Sequence, residues 1–128
     1  TAAPAMLKEM STTYQGHIDT VFGNVADREL EPKVAVALSN VTHHGDQGMV
    51  TIDGKRIFFN HYRKKSEQMA LSGDVEIACY GHDHVKHVEK KGGVLLLNPG
   101  TAGGMFQYPS FAVIDLQTMH CSFIEITV

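Results

Sequence analysis

A short apolar run, Ile77-Ala78-Cys79-Tyr80, stops on Gly81 and is followed at once by His82, Asp83 and His84. A strand that ends this way aims two imidazoles into one space. Neutral imidazole is the commonest side-chain metal ligand, and glycine removes the Cβ that would block close approach. One His-x-His pair alone also arises on solvated loops, so the surroundings decide its meaning. Two further segments end alike: Asp19-Thr20-Val21-Phe22 runs into Gly23 and Asn24, and Arg56-Ile57-Phe58-Phe59 runs into Asn60 and His61. Three apolar strands, each followed at its carboxyl end by a nitrogen or oxygen donor, match the rule that open α/β sheets hold their ligands beyond those ends.

The remaining elements fit an α/β chain. Pro4 suits a first helical turn, and Ala5, Met6, Leu7 and Met10 form a helical stripe that ends near Gly16. The apolar tract Val34–Leu38, inside the segment Arg28–Ser39, reads equally as helix or strand, and Pro32 requires any helix there to be split or to begin at that point. Residues 64–71, with Met69 and Leu71, predict a brief amphipathic helix, the methionine reading as core filler. Three hairpins follow from turn chemistry: Met49–Ile52 with Arg56–Phe59 around Asp53-Gly54, His87–Lys90 with Val94–Leu97 around Lys91-Gly92-Gly93, and Phe111–Leu116 with Cys121–Val128 around Gln117-Thr118. Antiparallel returns after a helix-rich start predict an α/β sandwich rather than a purely parallel sheet.

Composition narrows the function classes. With 128 residues and 43% hydrophobic side chains, the chain suffices for one core and one domain, 1–128. A net charge of −3 supplies no basic field for a nucleic acid duplex. The short basic runs Arg63-Lys64-Lys65 and Lys90-Lys91 read first as solvated faces and second as phosphate-capturing groups. No stretch approaches the roughly 20 apolar residues of a membrane span. Cys79 and Cys121 sit in strand-like patterns where a thiol serves as a small hydrophobe, which fits a reducing cytoplasmic compartment.

Four blocks, Phe22-Gly23-Asn24, Asn60-His61, Gly81-His82-Asp83-His84 and Asn98-Pro99-Gly100-Thr101, together resemble in order and spacing the calcineurin-like metallophosphoesterases, and within them the small phosphodiesterases of the YfcE type. The resemblance implies a metallophosphoesterase-like two-sheet α/β sandwich that hydrolyses phosphate esters with a metal-activated water. It makes Asn24, His61 and His82 ligands of one divalent ion (Mn, Zn, Ni or Fe) and His84 a ligand of its neighbour. The family's Asp-x-His and Gly-Asp blocks have no counterpart here, and Thr1 falls just after the place of the second. On that basis the fold is expected to be N-terminally incomplete, the carboxyl-terminal two-thirds of the family's domain. Two cations 3.5–4 Å apart normally share a bridging carboxylate. Without it, one ion or none is the expected occupancy and hydrolysis is expected to be impaired. Exposed sheet edges would favour a homo-oligomer.

Four more residues join the expected site as outer-layer or phosphate-binding groups: Asp27, Asn98, Gly100 and Thr101. Asp27 serves equally well as a helix cap, and the Asn98–Thr101 stretch equally well as a plain structural turn. Val25 occupies the place where larger members carry a proton-donating histidine, and no catalytic proton donor is assigned. His43 and His44, as neighbours on an extended chain, point to opposite faces and are read as exposed. The alternative to an enzyme is a Vps29-like scaffold that keeps the fold and binds protein instead.

Overall fold

The computed structural model describes residues 4–104 and 106–127. Thr1, on which the expectation of a missing amino-terminal segment rests, and the last residue of the third hairpin, Val128, lie outside them. The chain divides into two compact units, residues 1–48 and 49–128, each taken by itself below.

In the first unit, α1 (Pro4–Thr13) starts on its proline as expected. Two short strands, β1 (Ile18–Thr20) and β2 (Val41–His43), pair in parallel with Ile18 opposite Val41. Between them lies α2 (Leu30–Val36), which settles the ambiguous tract as helix through Val36, with Pro32 in the first turn where a missing N–H costs nothing. Asp27 Oδ1 accepts the N–H groups of Glu29 and Leu30 just ahead of it. Leu7, Ala35 and Val41 form this unit's core, with Ile18 and Leu38 against it.

The second unit is built on a five-stranded sheet in the order β3 (Gln47–Ile52), β4 (Lys55–Asn60), β5 (Ile77–Cys79), β7 (Val94–Asn98), β6 (His87–Lys91). The strands β4, β5 and β7 run parallel, while β6 returns antiparallel to β7, so the sheet is mixed. At the β3–β4 turn both Asp53 (φ 50°) and Gly54 (φ 74°) are left-handed, the backbone that makes Asp-Gly a tight-hairpin signal. The helix α3 (Arg63–Ser72) crosses from β4 to β5 and packs Met69 and Ala70 on Phe58, Ala78 and Leu96. A separate antiparallel pair, β8 (Ser110–Asp115) and β9 (His120–Glu125), completes the unit.

Candidate metal centre

The strands β4 and β5 lie side by side in parallel, so the residues just past their carboxyl ends become neighbours although 21 positions separate them. His61 follows Asn60 at the end of β4, and His82 follows the two residues beyond β5. A backbone bond from Gly81 N–H to the His61 carbonyl, 3.0 Å, ties the two loops together. The outcome is that His61 Nε2 and His82 Nδ1 face each other at 3.1 Å. Two nitrogens on one tetrahedral zinc-like ion sit roughly 3.3 Å apart, given bonds of about 2.0–2.1 Å. The pair therefore fits one edge of a coordination polyhedron. Burial first, then the neighbouring His82, lowers the His61 pKa below its usual value and keeps the ring neutral, the form that binds metal.

Both histidines of the Gly81–His84 loop have left-handed backbones, φ 73° at His82 and 61° at His84. Such geometry costs of order 1 kcal/mol or more for a residue with a Cβ and persists only where its surroundings impose it. Asn98 imposes it. Its side chain is fully buried, donates to Asp83 Oδ1 and to the Gly81 carbonyl, and accepts the Gly100 N–H at 2.9 Å. Asp83 Oδ1 in turn accepts the Val85 N–H. Gly100 has φ 89°, and a Cβ there would stand 2.2 Å from Ser110 Oγ, so the turn admits only glycine. Thr101 is buried, and its carbonyl accepts the Ser110 N–H.

His61 has a comparable support. Asn60 is buried at the end of β4; its Nδ2 donates to Ser66 Oγ at 2.7 Å and its Oδ1 accepts the Tyr62 N–H. Ser66 passes the chain on to the Cys79 carbonyl. Tyr62 lies against both rings, with centroids 5.0 Å from His61 and from His82. His84 is turned toward Phe106, with ring centroids 6.1 Å apart.

The second unit thus brings His61 and His82 together and places His84 on the same loop. Asn24 lies in the first unit, four residues beyond the end of β1, and is exposed. Among the described residues no group of three or more His, Cys, Asp and Glu side chains is arranged to hold a metal ion. The donor set fits a two-nitrogen grip from histidines and contains no bridging carboxylate.

Two polar supports escaped the sequence reading, Ser66 and Asp83. Ser66 shares the inward face of α3 with Ala70, and a small hydroxyl residue at an otherwise apolar core position is the signal that marks it. The reading of His43 and His44 as exposed is corrected. The His43 side chain is 4% exposed, with its Nε2 3.6 Å from Glu31 Oε1, and His44 Nε2 lies 2.8 Å from Asp19 Oδ1. Each meets an acidic partner, His43 the Glu31 of α2 and His44 the Asp19 of β1. The run beginning at Arg63 is solvated, with Arg63 donating to Glu67 at 2.7 Å.

A model of the calcineurin-like phosphoesterase superfamily domain matches residues 1–119. The chain belongs to that superfamily. Among solved structures, an archaeal phosphodiesterase superposes on this phosphoesterase-superfamily chain with a TM-score of 0.86 at 23% identity, covering 95% of this chain and 76% of the other. Vps29 from Entamoeba histolytica, complexed with zinc, gives a TM-score of 0.56 at 17% identity, over 94% and 88%. A predicted phosphoesterase from Streptococcus pneumoniae gives 0.53 at 12%, over 95% and 80%. At these identities the likeness establishes the metallophosphoesterase fold, a mixed α/β architecture, and nothing finer. No curated protein sequence matches significantly.

Proposed function

We propose that this superfamily member is a metal-dependent phosphodiesterase whose ligand set is Asn24, His61, His82 and His84. The observation that carries the reading is the facing pair His61 Nε2 and His82 Nδ1, held at 3.1 Å beyond two parallel strands. Their lone pairs, and the Asn24 carboxamide oxygen as a further donor, would hold one divalent ion, with His84 serving its neighbour. Bound metal would supply an activated water and neutralise charge developing on the phosphate. Imidazole donors suit Zn, Ni or Fe and bind Mn more weakly, and small phosphate esters are the substrate class. The reading treats residues 1–128 as one functional domain.

The supporting residues determine how well the histidines are presented. Asn98 and Asp83 hold the loop that carries His82 and His84, while Asn60 and Ser66 hold the segment that carries His61. Asp27 acts at the start of α2. Val25 is exposed and moves no proton, so esters with poor leaving groups react slowly. The absence of a bridging carboxylate from the donor set predicts weak binding of a second ion, and low turnover, for these 128 residues alone.

A second reading, a Vps29-like protein-binding scaffold, has its own support. Phe111 and Val113 on β8 and Ile124 on β9 leave an exposed apolar face, with Phe111 directly opposite Ile124. Hydrolysis of bis(p-nitrophenyl) phosphate in added Mn decides between them. Turnover that disappears in His82→Ala supports the enzyme. No turnover, with no heat of Mn or Zn binding, turns the assignment to the scaffold.

A further inference from the structure

After β7 the chain reaches Gly104, whose backbone lies close against Pro109. Gly104 has φ 73°, and a Cβ there would stand 2.8 Å from Pro109 Cγ. Residues 104 and 106–109 line an open cavity of about 400 Å³, within the range of small-molecule sites. Its aromatic members are conspicuously wet: Phe106 is 86% exposed and Tyr108 80%. Phe106 also has a left-handed backbone, φ 65°, a strained position for a residue with a Cβ. Burying such rings in protein would ordinarily be favourable, and here that gain is left untaken. The cavity is not remote from the chemistry. The Phe106 ring meets His84 at 6.1 Å, edge to face, and His84 is two residues from His82.

We propose that Phe106 and Tyr108 form an aryl-binding subsite that selects phosphate esters carrying a planar aromatic group. The inference rests on the phosphoesterase reading and adds its substrate class. With the phosphate at the histidines, a flat ring attached to it extends over His84 onto Phe106 and Tyr108. Stacking and edge-to-face contact reward such a ring whatever its substituents, and an alkyl ester gains little there. A nucleobase and a simple phenyl group share this chemistry.

The test compares phenylphosphonate with methylphosphonate, non-hydrolysable probes that differ only in the ring, binding to the Mn-loaded protein by saturation-transfer NMR and competing against bis(p-nitrophenyl) phosphate. The wild type is expected to bind the phenyl probe about tenfold more tightly. In Phe106→Ala and in Tyr108→Ala the ratio falls toward one, and Phe106→Trp retains it. Preference for adenosine 5′-phosphonate over phenylphosphonate identifies a nucleobase as the natural ring, and the reverse order identifies a simple aryl group; either supports the subsite. Equal affinities in the wild type, or a ratio unchanged in the Phe106→Ala/Tyr108→Ala double variant, overturn the subsite while hydrolysis continues. Failure of both probes to bind, together with no hydrolysis, overturns the phosphoesterase reading and the subsite with it.

Discussion

Each unit contains a histidine that burial pushes below its ordinary pKa, His43 in the first and His61 in the second, yet the two are placed for opposite purposes. His43 is sealed in. Its Nδ1 accepts the Gly45 N–H, its ring packs on Phe22 at 4.4 Å, and its Nε2 faces the Glu31 carboxyl, which is 0% exposed and finds no donor at hydrogen-bond distance among the described residues. His61 faces a second imidazole rather than an acid. The neighbour distinguishes the two cases; the pKa direction alone does not.

The contrast predicts a clean separation of effects. His43→Ala removes the Phe22 contact and leaves Glu31 buried beside a void, and should cost about 3 kcal/mol or more of stability in chemical denaturation. His82→Ala should weaken Mn or Zn binding at least about 100-fold by calorimetry while moving the unfolding free energy in chelator by under about 0.5 kcal/mol. The comparison breaks if the two variants exchange phenotypes. Asn98→Asp sharpens it: a carboxylate replaces the amide donor facing Asp83, the histidine loop loses its clasp, and metal affinity should fall about tenfold without loss of a ligand.

The smallest expected effect is on pH dependence. Because burial lowers the His43 pKa in the folded chain, the unfolded chain binds that proton more readily. The stability His43 contributes is complete above about pH 6.5 and is lost as pH falls from there through the folded-state value. Denaturation midpoints should drop over that window with a slope no steeper than about 1.4 kcal/mol per pH unit for one group, and His43→Gln should flatten it.

How much of this was legible in the sequence follows from range. The Asp53-Gly54 hairpin and the Gly81–His84 loop were readable because local backbone chemistry dictates them, and the glycine at position 100 marked a tight turn. The choice of helix for Val34–Leu38 was not readable, since a short apolar tract carries both periods. The burial of His43 was hidden for a different reason. It depends on Glu31, which reaches the ring only after β1 and β2 pair across 23 residues and α2 packs beside them. The blocks that carry the family likeness were legible in full, and the superfamily match agrees with them. The hydrogen bonds from Ser66 to the Cys79 carbonyl and from Asn98 to Asp83 were not, because they span 13 and 15 positions.

The left-handed backbone at His82 and His84 gives Asn98 an influence out of proportion to its position. Two residues held against their own torsional preference behave like a drawn catch. Without that amide the loop loses the bonds that hold both residues in place. One buried side chain would then govern how the two imidazoles are presented, and variation at position 98 would alter that presentation.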